Sequence, residues 1–127
     1  MNEDLGFQAA HFAEELVTGF PERLPALVGL APMPLRFFVL FNLAWLAIWS
    51  LCAWGLAVRR RAALFPLWFL GVAGVANGVA HPLLSALARG YFPGLATSPV
   101  VGFLGVLLLR RLRSVAQSVD FSPGSAS

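Results

Sequence analysis

Lysine is absent from this 127-residue chain, cysteine occurs once, and only 12% of the residues are charged. A single cysteine, Cys52, excludes an internal disulfide. All nine basic residues are arginine, and most lie in two short runs at the ends of apolar segments, without the aromatic interleaving of a nucleic-acid surface. We therefore expect no nucleic-acid partner. No nucleotide-binding or flavin-binding motif is present either.

Apolar residues are abundant instead. They make up 58% of the chain, and the mean hydropathy is +0.76. A soluble domain is closer to half apolar, and so short a chain cannot bury the excess. The composition predicts a lipid bilayer as the surrounding medium.

Four hydrophobic segments predict an all-α fold, an integral membrane bundle of four transmembrane helices. Helices are favoured over a barrel because the runs lack polar/apolar alternation. The first segment is short for a span and carries charges. The segments run from about 5 to 20, 34 to 58, 62 to 88 and 99 to 109. The four-helix domain is predicted to cover residues 1–116, with a disordered tail at 117–127.

Local signals predict the connections. Pro21, Pro25, Pro32 and Pro34 are expected to break the chain between the first two helices. The run at 59–61 predicts a tight basic turn, and Pro93-Gly94 suits a type II turn. Ser98 before Pro99 is typical of an N-cap followed by proline at the first helical position.

Arginine counts predict the orientation. The runs at 59–61 and 110–113 lie on one side, and Arg23, Arg36 and Arg89 lie on the other. The positive-inside rule places the richer side in the cytoplasm, with both termini there. The acidic start, Glu3-Asp4, does not resemble a signal peptide.

A polar stripe follows helical spacing along the first segment. Its members are Asp4, Gln8, His11, Glu15, Thr18 and Glu22, with Glu14 beside it. A helix lying on the membrane surface would fit this pattern, but such helices usually present lysine and arginine to anionic lipid. We expect an acidic stripe to face inward instead.

Polar residues in the next two segments match that stripe in depth. Asn77 and His81 lie one turn apart in the third segment, and Asn42 lies in the second. Counting helical rise, His11, His81 and Asn42 come out roughly 9–14 Å below the outer surface. Ionisable groups at such depth are costly unless they are paired, metal-bound or functional. The pattern predicts one polar layer in the outer half of the bilayer.

Three interpretations of this layer stay open. His11, Glu14, Glu15 and His81 are a ligand set for a divalent metal such as zinc, iron or manganese. The same groups suit metal-free acid/base chemistry. For either kind of enzyme, Glu14, Glu15 and Asn77 are the expected catalytic residues. A structural His–Glu pair joining two helices is the third interpretation.

The leading hypothesis is a metal-dependent membrane enzyme that acts on a lipophilic or amphiphilic small molecule. Its expected substrate-binding residues are Asn42, Trp45, Trp49, Arg89 and Tyr91. Alternatives are an isomerase-like acid/base enzyme and a non-enzymatic binding or transport module. A transport route through only four helices would favour a homo-oligomer.

Three motifs resemble those of a small bacterial membrane family named for His-x-x-Glu-Glu. They are His11-Phe12-Ala13-Glu14-Glu15, Asn77-x-x-x-His81 and Tyr91-Phe92-Pro93-Gly94-x-x-Thr97. Their order and spacing extend the resemblance over about residues 5 to 112. It implies a four-helix domain of unassigned function in the bacterial inner membrane, and it nominates His11, Glu14, Glu15, Asn77 and His81.

Overall fold

The computed structural model describes the backbone of residues 2–57 and 61–120. Within these ranges the fold is all-α, as predicted, and consists of five α-helices and a short 3₁₀ turn at Arg61–Ala63. The helices are α1 (Asn2–Val17), α2 (Phe20–Leu27), α3 (Leu35–Ala57), α4 (Leu64–Leu87) and α5 (Ser98–Asp120).

Two helices are long and apolar enough to cross a membrane. They are α3 and α4, with mean hydropathies of 1.8 and 1.4 over their most apolar windows. The 16 residues of α1 rise only about 24 Å and include charged groups. Helix α5 carries Arg110, Arg111 and Arg113 in its second half. Composition and length therefore identify two candidate spans among the described residues, rather than the predicted four.

Helices α4 and α5 pack against each other more closely than any other pair of described helices, and glycines face each other along this contact. A Cβ built on Gly105 would lie 2.7 Å from the carbonyl oxygen of Gly71 and 2.9 Å from the backbone nitrogen of Val75. Small residues let apolar helices approach at the backbone level. An apolar cluster of Trp49, Leu67, Leu70, Leu108 and Leu112 lies beside this contact and joins α3 to the pair.

The proline-rich connection forms a helix, contrary to prediction. Gly19, in the left-handed conformation with φ of 81°, separates α1 from α2, and Pro21 lies in the first turn of α2, where proline is tolerated. Pro25 lies inside α2 and removes the N–H that would bond to Pro21. The N–H of Met33 takes that carbonyl instead, at 2.8 Å. The segment after α2 is thereby fixed against it.

The α4–α5 loop, residues 88–97, folds back onto the helices. Helix α4 ends in a left-handed Arg89 with φ of 52°, and the N–H of Gly90 bonds to the carbonyl of Ser85 at 3.1 Å. Phe92 is 1% exposed, so the loop is part of the core. The hydroxyl of Ser98 donates to the carbonyl of Leu95 at 3.2 Å, rather than capping α5 as predicted.

Two predicted features fall at the edges of the described residues. Arg59 and Arg60 of the basic turn lie outside them. Helix α5 continues to Asp120, past the boundary predicted at 117, and residues 121–127 lie outside the described part.

The glycine contact generates a stability prediction. Gly105→Ala should destabilise the fold by about 1–3 kcal/mol, because its methyl group meets backbone atoms that cannot move aside. Gly6→Ala is the matched control, since nothing lies within 4 Å of the Cβ that it adds to α1. That control should be neutral or gain up to about 1 kcal/mol from helix propensity. Unfolding in detergent, followed by circular dichroism, compares the two; equal stabilities would contradict the close packing.

Candidate functional site

The polar stripe of α1 faces the interior, as predicted. Asp4 and Gln8 are each 9% exposed, Glu15 is 8% exposed and His11 is 2% exposed. The stripe stops at the end of α1, because Glu22 is exposed on α2. Buried polar side chains need partners, and His11, Glu14 and Glu15 find theirs on α4 and on the α4–α5 loop.

The imidazole of His11 is held through its Nδ1 atom. That atom lies 2.7 Å from Oγ1 of Thr97. The Thr97 hydroxyl donates its only proton to Glu14 Oε2, 2.5 Å away. Oγ1 can therefore only accept from His11, which places the proton of a neutral His11 on Nδ1 and leaves Nε2 as a bare lone pair.

The imidazole of His81 is held in the same way by the backbone. Its Nδ1 lies 2.6 Å from the carbonyl oxygen of Pro93, which can only accept a hydrogen bond. The Nε2 atom of neutral His81 is accordingly also a lone pair. Two separate oxygen acceptors thus select the same tautomer in both histidines.

The two Nε2 atoms converge on one carboxylate. Glu15 Oε1 lies 3.3 Å from Nε2 of His81 and 3.7 Å from Nε2 of His11. One ligand atom from each of the three residues lies within 4.8 Å of the others, and all three residues are buried. Nε2 of His11 is buried and has no hydrogen-bond partner among the described residues. We call His11, Glu15 and His81 the triad.

Gly94 allows the loop to approach the triad closely. Its φ is +86°, and a Cβ at this position would lie 2.5 Å from Cε1 of His81 and 2.8 Å from Cε1 of His11. A side chain would be strained in its backbone and would also collide with both imidazoles. The two rings meet edge to face, with centroids 4.7 Å apart.

Glu14 lies apart from the triad and anchors the loop. Its carboxylate accepts hydrogen bonds from the N–H groups of Ala96 and Thr97, both at 2.9 Å, and from the hydroxyls of Thr97 and Tyr91. Burial, then the hydrogen bond to Glu14 and its negative charge, raise the pKa of Tyr91 above its ordinary value. The phenol therefore stays protonated and donates at neutral pH.

A cavity of about 430 Å³ opens beside the triad. His11 and Glu15 form part of its wall, together with three further polar residues, Gln8, Asn42 and Asn77. The rest is apolar and largely aromatic, and includes Trp45 and Trp49 of α3. This is the size and character of a small-molecule site.

The structure thus separates the predicted site residues into groups. Asn42, Asn77, Trp45 and Trp49 share the cavity with two triad members. Tyr91 holds Glu14 and does not line the cavity. Arg89 is exposed at the end of α4 and lines neither the cavity nor the triad.

Three contributors were missing from the predicted site. They are the Thr97 hydroxyl, the Pro93 carbonyl and the space provided by Gly94. All three belong to the motif Tyr91–Thr97, so the sequence did indicate that this segment is important. The motif gave no indication that the loop turns back onto the imidazoles.

The arrangement has a defined chemical capacity. Two fixed imidazole lone pairs and a carboxylate oxygen are electron-pair donors that point at one another. They can share a cation, or they can exchange a proton between the Glu15 carboxylate and an imidazole. The hydrogen bonds on Nδ1 resemble the outer interactions that orient histidine ligands of metals.

Glu14 yields a prediction about the loop. Glu14→Gln should cost about 1–3 kcal/mol of stability, because an amide offers one acceptor oxygen where the four donors require two. Tyr91→Phe removes one half-exposed donor and should cost less. Amide hydrogen exchange of residues 95–98 measures the effect directly. Unchanged protection in Glu14→Gln would show that the carboxylate does not hold the loop.

The family model described as protein of unknown function with HXXEE motif matches residues 5–108. No curated protein and no solved structure matches the chain. The match confirms the resemblance predicted from the three motifs, and it spans most of the chain. The protein therefore belongs to the HXXEE family, whose function is unknown.

Proposed function

We propose that this protein is a membrane-embedded, metal-dependent enzyme that acts on a lipophilic or amphiphilic small molecule. The triad is the proposed metal site. One observation carries the proposal: each histidine uses Nδ1 for an oxygen acceptor and directs Nε2, which is a lone pair in the neutral ring, toward Glu15. A merely structural pair would not need the same tautomer in two histidines held by unrelated partners.

The donor set fits a divalent cation. Two histidines and one carboxylate form a common ligand set of catalytic zinc sites, and they also suit iron and manganese. The unpartnered Nε2 of buried His11 gains a partner if a cation is bound. When bound, the metal would act as a Lewis acid or lower the pKa of a coordinated water.

The residues of the chain supply the other parts of such a site. The aromatic wall of the cavity favours an apolar substrate and limits access of water. Asn42 donates to the carbonyl of Phe38 at 2.9 Å, which fixes its amide with one oxygen left to accept. Asn77 offers both a donor and an acceptor on the facing helix. These amides are suited to orient a polar group of the substrate.

Membrane placement is part of the proposal. Helices α3 and α4 support it by length and hydropathy, and α1 and α5 would complete four membrane helices. The arginines of α5 and those at 59–61 favour an orientation with both termini in the cytoplasm. The bacterial inner membrane is the location that the family resemblance implies.

A metal-free acid/base enzyme is the second candidate. The 3.3 Å separation of Glu15 Oε1 and His81 Nε2 favours it, since a proton could pass between these atoms with little movement. Metal content distinguishes the two candidates.

Metal analysis tests the proposal first. Full-length protein, purified without chelator or a histidine tag and reconstituted anaerobically with zinc, iron or manganese, should hold a stoichiometric metal by mass spectrometry. His11→Ala, His81→Ala and Glu15→Gln should lose it, because each removes one ligand atom of the triad. Asn42→Ala is the matched control from the cavity wall and should retain it. Well-folded wild type without metal would refute the metal site and favour the acid/base candidate.

Thr97 provides a second test. Thr97→Val removes the acceptor of the His11 Nδ1 proton and should weaken metal affinity by about 10- to 100-fold. Thr97→Ser keeps the hydroxyl and should restore affinity. Competition titrations of folded protein against a chelating dye provide the measurement. A lowered unfolding temperature with unchanged affinity would show that Thr97 serves the loop alone.

A further inference from the structure

A second hollow adjoins the cavity. It has a volume of about 580 Å³ and lies between α2, the segment that follows α2, and the end of α4. All of its lining residues are apolar, and they include Leu24, Leu27, Leu30, Met33, Leu84 and Leu87. We call it the α2–α4 groove.

Met33 connects the groove to the cavity. It lines both hollows, so a single side chain forms part of each wall. Its backbone is fixed by the hydrogen bond to the Pro21 carbonyl, but its side chain is unbranched and has three rotatable bonds. Met33 therefore lies at the border of the two hollows, where a change of its rotamer would alter both walls.

We propose that the substrate is a single-chain amphiphile with a small, oxygen-bearing head. The head lies at the triad, and the hydrocarbon chain passes Met33 into the α2–α4 groove. This inference rests on the proposed function and names the substrate class of the same site. The polar groups of the cavity and the wholly apolar lining of the groove set the direction in which the molecule lies.

The polar groups of the wall indicate an oxygen-bearing head. Among the described residues that line the cavity, Glu15 is the only carboxylate and none is an arginine. A divalent cation at the triad would outweigh that single negative charge and would attract an oxygen atom of the head. The amides of Asn42 and Asn77 offer the head hydrogen-bonding partners in the same wall.

The outer edge of the groove indicates a hydrocarbon chain. Val28 is 71% exposed, Leu30 is 66% exposed and Leu87 is 75% exposed, so this edge is an open apolar surface. An exposed apolar rim that continues into a ligand-sized cavity suits a molecule entering sideways from a lipid phase.

Photolabelling with two hexadecanol probes tests the path. One probe carries a diazirine beside the hydroxyl, and the other carries it at the far end of the chain. Full-length wild-type protein in lipid nanodiscs is irradiated with each, and the labelled residues are mapped by peptide mass spectrometry. The first probe should label cavity residues such as Phe38 and Trp45, and the second should label the groove around Leu27, Leu30 and Leu87. Excess unlabelled hexadecanol should remove both signals.

Exposed residues elsewhere give the background level. Val79 and Phe103 are 58% and 64% exposed and line neither hollow. Labelling of these two by the far-end probe as strongly as the groove, or far-end labelling of Phe37 and Phe41 in place of the groove, would overturn the proposed path.

Two variants at Met33 test the connection. Met33→Trp should block the passage, so that far-end labelling of the groove falls to the level of Phe103, whereas Met33→Leu should keep it. Metal content should equal that of wild type in both variants, because neither alters the triad. Absence of metal from folded wild-type protein would refute the metal site. Groove labelling that persists in Met33→Trp, with metal retained, would refute only the path of the hydrocarbon chain.

Discussion

The hydrogen bonds that Glu14 accepts from the α4–α5 loop are the constraint on which the site depends. They fix residues 96 and 97 against α1, and so bring the hydroxyl of Thr97 to His11. The same folding back of the loop brings the carbonyl of Pro93 to His81. The orientation of both imidazoles thus follows from a segment that contributes no side chain to the triad itself.

The two adjacent glutamates of the family motif have different roles for a geometric reason. Consecutive residues of a helix point in directions about 100° apart, and the carboxylates of Glu14 and Glu15 accordingly turn to different neighbours. Glu15 lies on the same helix face as His11, which is four residues earlier, and it is part of the triad. Glu14 points to the neighbouring loop. The motif therefore combines a site residue with the residue that supports the site.

Helical periodicity made part of this architecture predictable. The spacing of Asp4, Gln8, His11 and Glu15 predicted an inward-facing stripe, and these four side chains are buried. Asn42 and Asn77 were predicted to face the same interior, and both line the cavity beside the stripe. The depth of this layer in a bilayer stays a prediction. Helix α2 was not predicted, because a proline inside a segment removes a backbone donor and so argues against a helix. The Pro21 carbonyl is satisfied by the N–H of Met33, which lies beyond the end of the helix.

The role of Glu14 was unpredictable for a similar reason. Nothing in its spacing distinguishes it from a ligand, since it lies three residues after His11 on a neighbouring face. Its carboxylate is drawn away by backbone N–H groups more than eighty positions along the chain. Almost every residue has a backbone N–H group, so the residue types in a sequence do not show which N–H will bond to a distant carboxylate.

Gly94 allows the triad to be recognised from sequence alone. Since the space between the two imidazoles and the loop admits no Cβ, a chain with an alanine or larger residue there cannot hold this arrangement, even with His-x-x-Glu-Glu intact. The absence of a side chain at one position thus separates members that keep the centre from those that retain only its motif. A residue with no functional group becomes the diagnostic marker of the triad.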